Sequence, residues 1–242
     1  MIRFTGGLVL LDVEGTVSPL AFVHDVMFPY AREHAGAFLR AGTGLEETLE
    51  RMAADAGQAS SAAWCPFAKD SPEAAAWVEG QVHAWMDADA KLTGLKQLQG
   101  LIWEQGFKSG ALRATLFDDV PGALWQWHAA GLRLAIYSSG SVHAQRLFFS
   151  HTTAGDLTPL LSGYYDTTTG PKKEARSYEA IAQAAGFAPA EVLFLSDVTA
   201  ELDAARDAGM QTGLAIRPGN RETESERHAS FHSLHDITIV RP

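Results

Sequence analysis

Two carboxylates lie two positions apart near the start of the chain, in a segment of residues 11–16 that directly follows the apolar residues 8–10. In an extended segment, residues i and i+2 point to the same side, so Asp12 and Glu14 can face one site. Gly15 then allows the chain to turn sharply. In such a pair, one carboxylate can attack an electrophile or hold a metal ion while the other transfers protons. Taken alone, the pattern more often marks a solvated strand end, so its meaning depends on what the fold brings beside it.

Strand-like and helix-like segments alternate from residue 120 onward. Apolar runs predict strands at Gly7–Val13, Leu132–Ser138, Gly163–Thr168, Val192–Ser196, Thr212–Ile216 and Ile237–Val240. Helical patterns are predicted at Gly122–Ala130, Val142–Ser150, Ser177–Ala185 and Ala200–Ala208. Such alternation is typical of a parallel sheet covered on both faces by helices. The predicted fold class is therefore α/β, with a Rossmann-like parallel sheet as its core.

Residues 20–116 have a different pattern, rich in helix-forming residues and almost without strand signals. Leu92, Leu95, Leu98 and Ile102 recur at helical spacing, as expected for one buried helix face. Because the first strand belongs with the later ones, we predict a helical domain, residues 20–116, inserted into a core built from residues 1–19 and 117–242.

Polar residues follow each of four predicted strands. Asp12 and Glu14 follow the first, Ser138 and Ser139 the second, Lys172 the third, and Asp197 and Glu201 the fourth. Because ligands of open parallel sheets bind outside the carboxyl ends of the strands, we expect these side chains to converge at one edge.

The expected cluster suits a phosphate ester. Mg²⁺ prefers hard oxygen ligands, which Asp12, Asp197 and a backbone carbonyl of residues 12–16 would supply. Asp12 can then attack phosphorus and form an aspartyl-phosphate, while Glu14 carries protons to and from the ester oxygen and water.

The other members of the cluster also match this chemistry. Ser138, with the amides of residues 139 and 140, can bind phosphoryl oxygens at a helix start, and Lys172 can offset charge at phosphorus. Each also has an ordinary structural interpretation, as a helix cap, a solvated loop or, for Glu201, a first-turn acid. Their joint occurrence at successive strand ends favours the functional interpretation.

Composition excludes several other classes of function. The 242 residues are 46% hydrophobic and 20% charged, with a formal net charge of −10. This is typical of a globular protein and argues against nucleic acid or an anionic membrane as a partner. The sequence has neither the roughly 18 consecutive apolar residues of a membrane span nor a signal-peptide pattern. With one cysteine, Cys65, no intrachain disulfide can form, and we expect a cytoplasmic setting.

These positions resemble the four motifs of the haloacid dehalogenase-like phosphohydrolases. Residues 12–16 resemble the first motif, Ser138 the second, Lys172 the third, and Asp197 with Glu201 the fourth. The resemblance implies a Rossmann-like core with a helical cap inserted after the first strand. Most phosphatases of this family carry aspartate where this chain has Glu14.

Longer runs resemble one subgroup, the enolase-phosphatases of methionine salvage, also called acireductone synthases. These runs are residues 12–23, 95–103, 137–142, 193–199 and 217–220. The resemblance implies enolisation of 2,3-diketo-5-methylthiopentyl 1-phosphate, followed by removal of the phosphate to give an acireductone. It also implies a monomer that needs one Mg²⁺ ion and binds a small phosphorylated diketone.

The resemblance also implies roles for individual residues. The metal site comprises Asp12, Asp197 and, through its backbone, Glu14; the catalytic residues are Asp12, Glu14 and Lys172; and Ser138, Ser139 and Lys172 bind substrate.

Two alternatives remain open at this point. One is another small-molecule phosphatase on the same scaffold, such as one acting on a sugar phosphate, and the other is a phosphate-binding module without catalysis. The residues themselves add one hypothesis. Because glutamate is one methylene longer than aspartate, Glu14 reaches a substrate carbon and removes its proton during enolisation.

Overall fold

A computed structural model describes residues 2–42, 44–220 and 225–240. The chain forms two compact units, one of Met1–Val23 with Arg113–Pro242 and the other of His24–Leu112. We refer to them as the sheet unit and the helical unit. The helical unit begins at residue 24 and ends at residue 112, where the sequence pattern predicted 20 and 116.

The strands and helices are defined as follows. The strands are β1 (Ile2–Phe4), β2 (Leu8–Leu11), β3 (Arg133–Tyr137), β4 (Gly163–Tyr165), β5 (Val192–Ser196), β6 (Gln211–Ala215), β7 (Ala229–Phe231) and β8 (Ile237–Ile239). The α-helices are α1 (Phe28–Ala41), α2 (Glu46–Asp55), α3 (Ser61–Trp64), α4 (Pro72–Asp87), α5 (Thr93–Ser109), α6 (Asp119–Ala129), α7 (Val142–Ser150), α8 (Ala175–Ala185) and α9 (Thr199–Asp207). A π-helical segment covers Phe22–Met27, and 3₁₀ turns cover Thr158–Leu160, Pro189–Glu191 and Leu234–Asp236.

The sheet unit contains a six-stranded sheet in the order β4-β3-β2-β5-β6-β7. Every neighbouring pair in it is parallel, as the alternation of strands and helices predicted. β2 lies in the interior of the sheet, and its four residues are fully buried. Such a strand must be apolar throughout, because both of its faces are covered.

The structure differs from the sequence prediction at both ends of the chain. β8 does not join the main sheet but pairs in parallel with β1, and neither β1 nor β7 was predicted. Each of these strands has three residues, too few for a two-residue alternation to be recognised. The predicted strand at residues 7–13 is also shorter, because its extended pairing ends at Leu11.

The helical unit has an apolar core of its own, to which α1, α2, α4 and α5 contribute. The ring of Trp64 stacks on that of Trp85, with ring centroids 5.5 Å apart and planes inclined by 5°. The helical spacing that predicted a buried face in α5 is confirmed for Leu95, Leu98 and Ile102, which are buried, whereas Leu92 precedes the helix and is half-buried. Within the described parts of the chain, no helix is both long enough and apolar enough to cross a bilayer.

Candidate functional site

The first carboxylate follows directly from the buried strand β2. The amide of Asp12 still donates to the end of β5, at 3.0 Å, and its side chain is buried. The chain then folds tightly, because the carbonyl of Val13 accepts the amides of residues 16, 17 and 18 at 3.2, 3.0 and 2.9 Å. Gly15, with a φ of +72°, occupies the left-handed region that side chains disfavour. We call residues 12–18 the Asp12 turn.

Lys172, which lies 160 positions further along the sequence, contacts the Asp12 turn. Its Nζ lies 2.6 Å from Oδ1 of Asp12 and 2.7 Å from Oε2 of Glu201. The Lys172 side chain is only 10% exposed. Burial alone lowers the pKa of the Lys172 ammonium, but Asp12 and Glu201 together raise it above its ordinary value. The lysine is therefore a fixed cation at neutral pH, held between two carboxylates.

Three buried hydroxyls hold the backbone that carries Lys172. The hydroxyls of Tyr137, Ser177 and Tyr178 donate to the carbonyls of residues 170, 171 and 172, at 2.8, 2.7 and 2.7 Å. Burial raises the pKa of both tyrosine hydroxyls, so they remain protonated donors. This arrangement fixes the lysine through its main chain, independently of its ammonium.

The end of β3 brings Ser138 and Ser139 to the start of α7. Ser138 is buried, whereas Ser139 is exposed. The sequence predicted that the amides here bind phosphoryl oxygens, but two of them already donate to protein side chains. The amide of Gly140 donates to Oγ of Ser138 at 3.3 Å, and that of Val142 donates to Oδ2 of Asp166 at 3.0 Å. A ligand would therefore compete with the first contact, which is long for a hydrogen bond.

Asp197 and Glu201 follow β5 on the other side of the Asp12 turn. Burial, reinforced by the charge of Asp12, raises the pKa of Asp197 to about 6 and that of Glu201 to about 7. Glu14 also contributes to the rise at Asp197. Both carboxylates therefore lie close enough to Asp12 for its charge to affect their pKa values, in a site that is poorly solvated.

Two residues beyond β6 also reach the Asp12 turn, although no pattern in the sequence predicted a chemical role for them. Arg217 donates from Nε to the carbonyl of Thr16 at 3.0 Å, and Asn220 donates from Nδ2 to that of Gly15 at 2.8 Å. The sequence contained one signal that was not used: Asn220 is the only asparagine in the chain.

The charges at this edge fit a divalent cation with oxygen ligands. Four carboxylates, Asp12, Glu14, Asp197 and Glu201, interact electrostatically around one ammonium, that of Lys172. Within residues 2–42, 44–220 and 225–240, no three acidic, histidine or cysteine side chains form a ready-made metal cluster. A cation bound at this edge would therefore take few protein ligands, and water would complete a shell of the kind that Mg²⁺ prefers.

Replacing Gly15 with alanine should cost more stability than the same replacement at Gly186, a glycine with a similar φ. A Cβ at Gly15 would overlap the carboxylate of Asp197, in addition to straining the backbone at positive φ. Gly186, with a φ of +79°, has no atom within 4 Å of the corresponding position. Urea unfolding should give a loss of about 1–2 kcal/mol for Gly186→Ala and a clearly larger loss for Gly15→Ala. Equal losses would show that Asp197 does not lie against the turn.

Comparisons with known proteins agree with this geometry. The sequence profile of the haloacid dehalogenase-like hydrolases matches residues 7–209. Enolase-phosphatase E1 of Synechococcus elongatus is 48% identical over 233 residues, which cover 94% of this chain and 96% of that protein. Enolase-phosphatase E1 of Drosophila simulans is 44% identical, with 95% of this chain and 91% of that protein covered.

A solved structure supports the same relationship. The UTR4 protein of Saccharomyces cerevisiae superimposes with a TM-score of 0.78 at 32% identity, covering 96% of this chain and 100% of that one. The α/β Rossmann-like fold predicted from the sequence is confirmed by this similarity. The chain belongs to the haloacid dehalogenase-like hydrolase family and, within it, to the enolase-phosphatases.

Proposed function

We propose that this protein catalyses two successive reactions on 2,3-diketo-5-methylthiopentyl 1-phosphate. It enolises the diketone and then hydrolyses the phosphate ester, giving 1,2-dihydroxy-3-keto-5-methylthiopentene, an acireductone, in L-methionine salvage. The choice of substrate is supported by the 48% identity with an enolase-phosphatase along nearly the whole chain. The chemistry is supported by one observation above all, the contact of the buried Lys172 ammonium with Asp12 at the end of β2.

In the proposed hydrolysis, Asp12 is the nucleophile. Its free carboxylate oxygen attacks phosphorus, the ester P–O bond breaks, and the leaving oxygen takes a proton from Glu14. Water then attacks the aspartyl-phosphate and gives its proton back to Glu14, which releases phosphate and restores Asp12. Glu14 is half-buried two positions along the chain from Asp12, so one turn supplies both groups.

Lys172, Ser138 and Ser139 are assigned to the phosphoryl group. The Lys172 ammonium is protonated and already placed 2.6 Å from the nucleophilic carboxylate, so no reorganisation is needed as charge develops on the phosphoryl oxygens. The hydroxyl of Ser138, at the start of α7, is suited to donate to one of those oxygens, and the exposed Ser139 can meet another.

The metal site is assigned to the carboxylates of Asp12 and Asp197 and the main-chain carbonyl of Glu14. One Mg²⁺ ion bound there would offset repulsion between the Asp12 carboxylate and the anionic phosphoryl group. Burial and, after it, the charge of Asp12 raise the pKa of Asp197, and a bound cation would offset that charge.

Glu14 is also the proposed base for enolisation. The reaction removes a proton from carbon next to a carbonyl, and the oxygen that gains charge must be stabilised. Glutamate extends one methylene further than aspartate, which gives it reach to a carbon beyond the phosphoryl group. The same side chain would then serve both steps in turn.

Two further assignments complete the proposal. The helical insertion is the cap domain of the family. The protein is assigned to the cytoplasm, which the single cysteine supports, and is expected to be a monomer, as the family resemblance implies. Sedimentation equilibrium should give a mass near 26.1 kDa.

The metal-free protein should lose stability as the pH rises from about 4 to about 7. Because Asp197 and Glu201 have raised pKa values in the folded state, that state binds more protons than the unfolded chain in this window, and stability falls with pH. Asp166 and Asp236, whose pKa values are lowered, act at lower pH. Burial lowers the pKa of the His228 imidazole, so this group opposes the fall in the upper part of the window. At about 1.4 kcal/mol per pKa unit, discounted for partial solvent exposure, we expect a fall on the order of 2 kcal/mol.

Urea unfolding across this range, in the presence of a chelator, measures the effect. Asp197→Asn should flatten the profile, and added Mg²⁺ should restore stability at the upper end. A metal-free protein that becomes more stable over the same range would contradict the proposed clustering of carboxylates.

A panel of phosphate esters tests the assignment of the substrate. Phosphate release from the diketo phosphate should exceed release from sugar phosphates by at least about tenfold in kcat/KM. Preference for a sugar phosphate would indicate a different phosphatase on this scaffold, and no release from any ester would indicate a binding module.

A further inference from the structure

The segment Arg217-Pro218-Gly219-Asn220, which follows β6, bonds twice to the Asp12 turn. Arg217 binds the carbonyl of Thr16 at 3.0 Å, and Asn220 binds that of Gly15 at 2.8 Å. The two bonds thus reach successive carbonyls of the turn from opposite ends of a four-residue segment. We call residues 217–220 the Arg217 segment.

The Arg217 side chain is held by contacts other than the turn. It is 5% exposed, and its Nη1 lies 3.0 Å from both carboxylate oxygens of Asp119 and 2.8 Å from the carbonyl of His232. Its guanidinium also lies over the rings of Phe117 and Phe231, at 4.8 and 5.5 Å from the centroids. A buried ion pair is costly to desolvate and contributes little net stability. The effect of these contacts is to hold the Arg217 guanidinium rigidly, with its Nε donating to the carbonyl of Thr16.

Asn220 makes a second bond that connects two strand ends. Its Nδ2 also lies 3.3 Å from Oδ2 of Asp197, so one amide group joins the turn after β2 to the carboxylate after β5. Its Oδ1 is buried and has no hydrogen-bond partner among the described residues.

We propose that the Arg217 segment is a clamp that positions the Asp12 turn, with Asn220 coupling that turn to Asp197. The inference rests on the proposed function, because it takes Asp12 and Asp197 as working groups. Arg217 and Asn220 are positioning residues. They fix the carbonyls of Thr16 and Gly15, and so the direction in which Asp12 and the carbonyl of Glu14 face. Asn220 also limits the rotation of the Asp197 carboxylate.

The single asparagine makes the clamp directly observable. Protein labelled with ¹⁵N only at asparagine should give one side-chain NH₂ group in the NMR spectrum, that of Asn220. Because both of its hydrogens are bonded, we expect two well-separated proton signals with slow solvent exchange. Adding Mg²⁺ should shift them, and in Asp197→Ala one hydrogen should exchange faster.

Variants separate positioning from folding. Asn220→Leu keeps nearly the size of the side chain and adds no charge but removes both donors, and Asn220→Ala removes the whole group. Both should weaken Mg²⁺ binding, measured by calorimetry, by about 10- to 100-fold. Turnover should fall mainly in kcat, with KM for the diketo phosphate within about threefold of wild type. Gln211→Ala is the matched control, since Gln211 also donates an amide hydrogen to a backbone carbonyl, at 3.2 Å. It should leave both measurements unchanged.

The outcomes distinguish this clamp from the proposed function. An Asn220 signal that is unaffected by Mg²⁺ and by Asp197→Ala, or variants that bind Mg²⁺ as the wild type does, would overturn the clamp even if the enzyme is active. A wild-type protein that is inactive on the diketo phosphate but shows the expected NMR response would refute the proposed function and leave the clamp standing. If either variant fails to fold, the NMR measurements on wild type and Asp197→Ala decide alone.

Discussion

Asp12→Asn should abolish phosphate release while leaving a folded protein. In the proposed mechanism only the Asp12 carboxylate can form the covalent bond to phosphorus, and an amide oxygen is a very poor nucleophile. Loss of a nucleophile of this kind typically lowers kcat by at least about a thousandfold. Release of phosphate from the diketo phosphate, followed over time, measures the loss.

The stability of this variant separates chemistry from folding. After burial, the charge of Asp12 is the main cause of the raised pKa values of Asp197 and Glu201, so its removal relieves repulsion inside the site. The asparagine oxygen can still accept the bond that Lys172 now makes to Oδ1 of Asp12. We therefore expect the free energy of unfolding at neutral pH, without metal, to equal or exceed that of the wild type. Such a pattern is typical of a residue kept for function at the expense of stability.

Asp207→Asn is the matched control for this change. Asp207 is exposed at the end of α9, so this variant makes the same aspartate-to-asparagine replacement outside the site. The Asp207→Asn protein should release phosphate at the wild-type rate. If Asp12→Asn kept a tenth or more of the wild-type rate, Asp12 could not be the nucleophile.

Lys172→Met should reduce both activity and stability, in contrast to Asp12→Asn. Methionine has nearly the length of lysine but no charge, so Asp12 and Glu201 would be left buried without the ammonium they both contact at 2.6 and 2.7 Å. Breaking a buried ion pair from one side costs about 3–5 kcal/mol. Loss of the cation at the phosphoryl group should also lower kcat by at least about a hundredfold. Urea unfolding and a phosphate assay measure the two effects.

The neighbouring Lys173 provides the control, because it is the same residue type one position away. Lys173 is exposed, whereas the side chain of Lys172 is buried beside Asp12. Lys173→Met should change both measurements little, by less than about 0.5 kcal/mol in unfolding and about twofold in turnover. If Lys173→Met had the larger effect, the placement of Lys172 beside Asp12 would be incorrect.

The sequence predicted the parts of this molecule that depend on simple periodicity. The central strands, including β2, are continuous apolar runs because both faces are buried, and α5 repeats its apolar residues at helical spacing. The expectation that parallel strands end at one edge was enough to bring Lys172 to Asp12, across 160 positions of sequence. General rules of sheet topology therefore located these contacts without any knowledge of side-chain geometry.

The contacts that the sequence did not reveal depend on tertiary structure at single residues. The pairing of β1 with β8 was not predicted, because a strand of three residues is too short for its sequence pattern to indicate a partner. Asn220 and Arg217 lie beyond β6, in a segment with no periodicity, and their bonds go to backbone carbonyls that carry no sequence signal. The occupied amides at the start of α7 were missed for a similar reason, since Asp166 reaches Val142 from a different loop.

One time course tests the central claim that this site carries out enolisation and hydrolysis in sequence. The diketo phosphate is mixed with wild-type protein and Mg²⁺, the enol is followed by ultraviolet absorbance, and phosphate is assayed in the same samples. We predict an enol signal that precedes phosphate, the absence of both signals with a chelator, and slower enol formation in Glu14→Asp. Phosphate release without an enol signal, or enol formation at the wild-type rate in Glu14→Asp, would contradict the account.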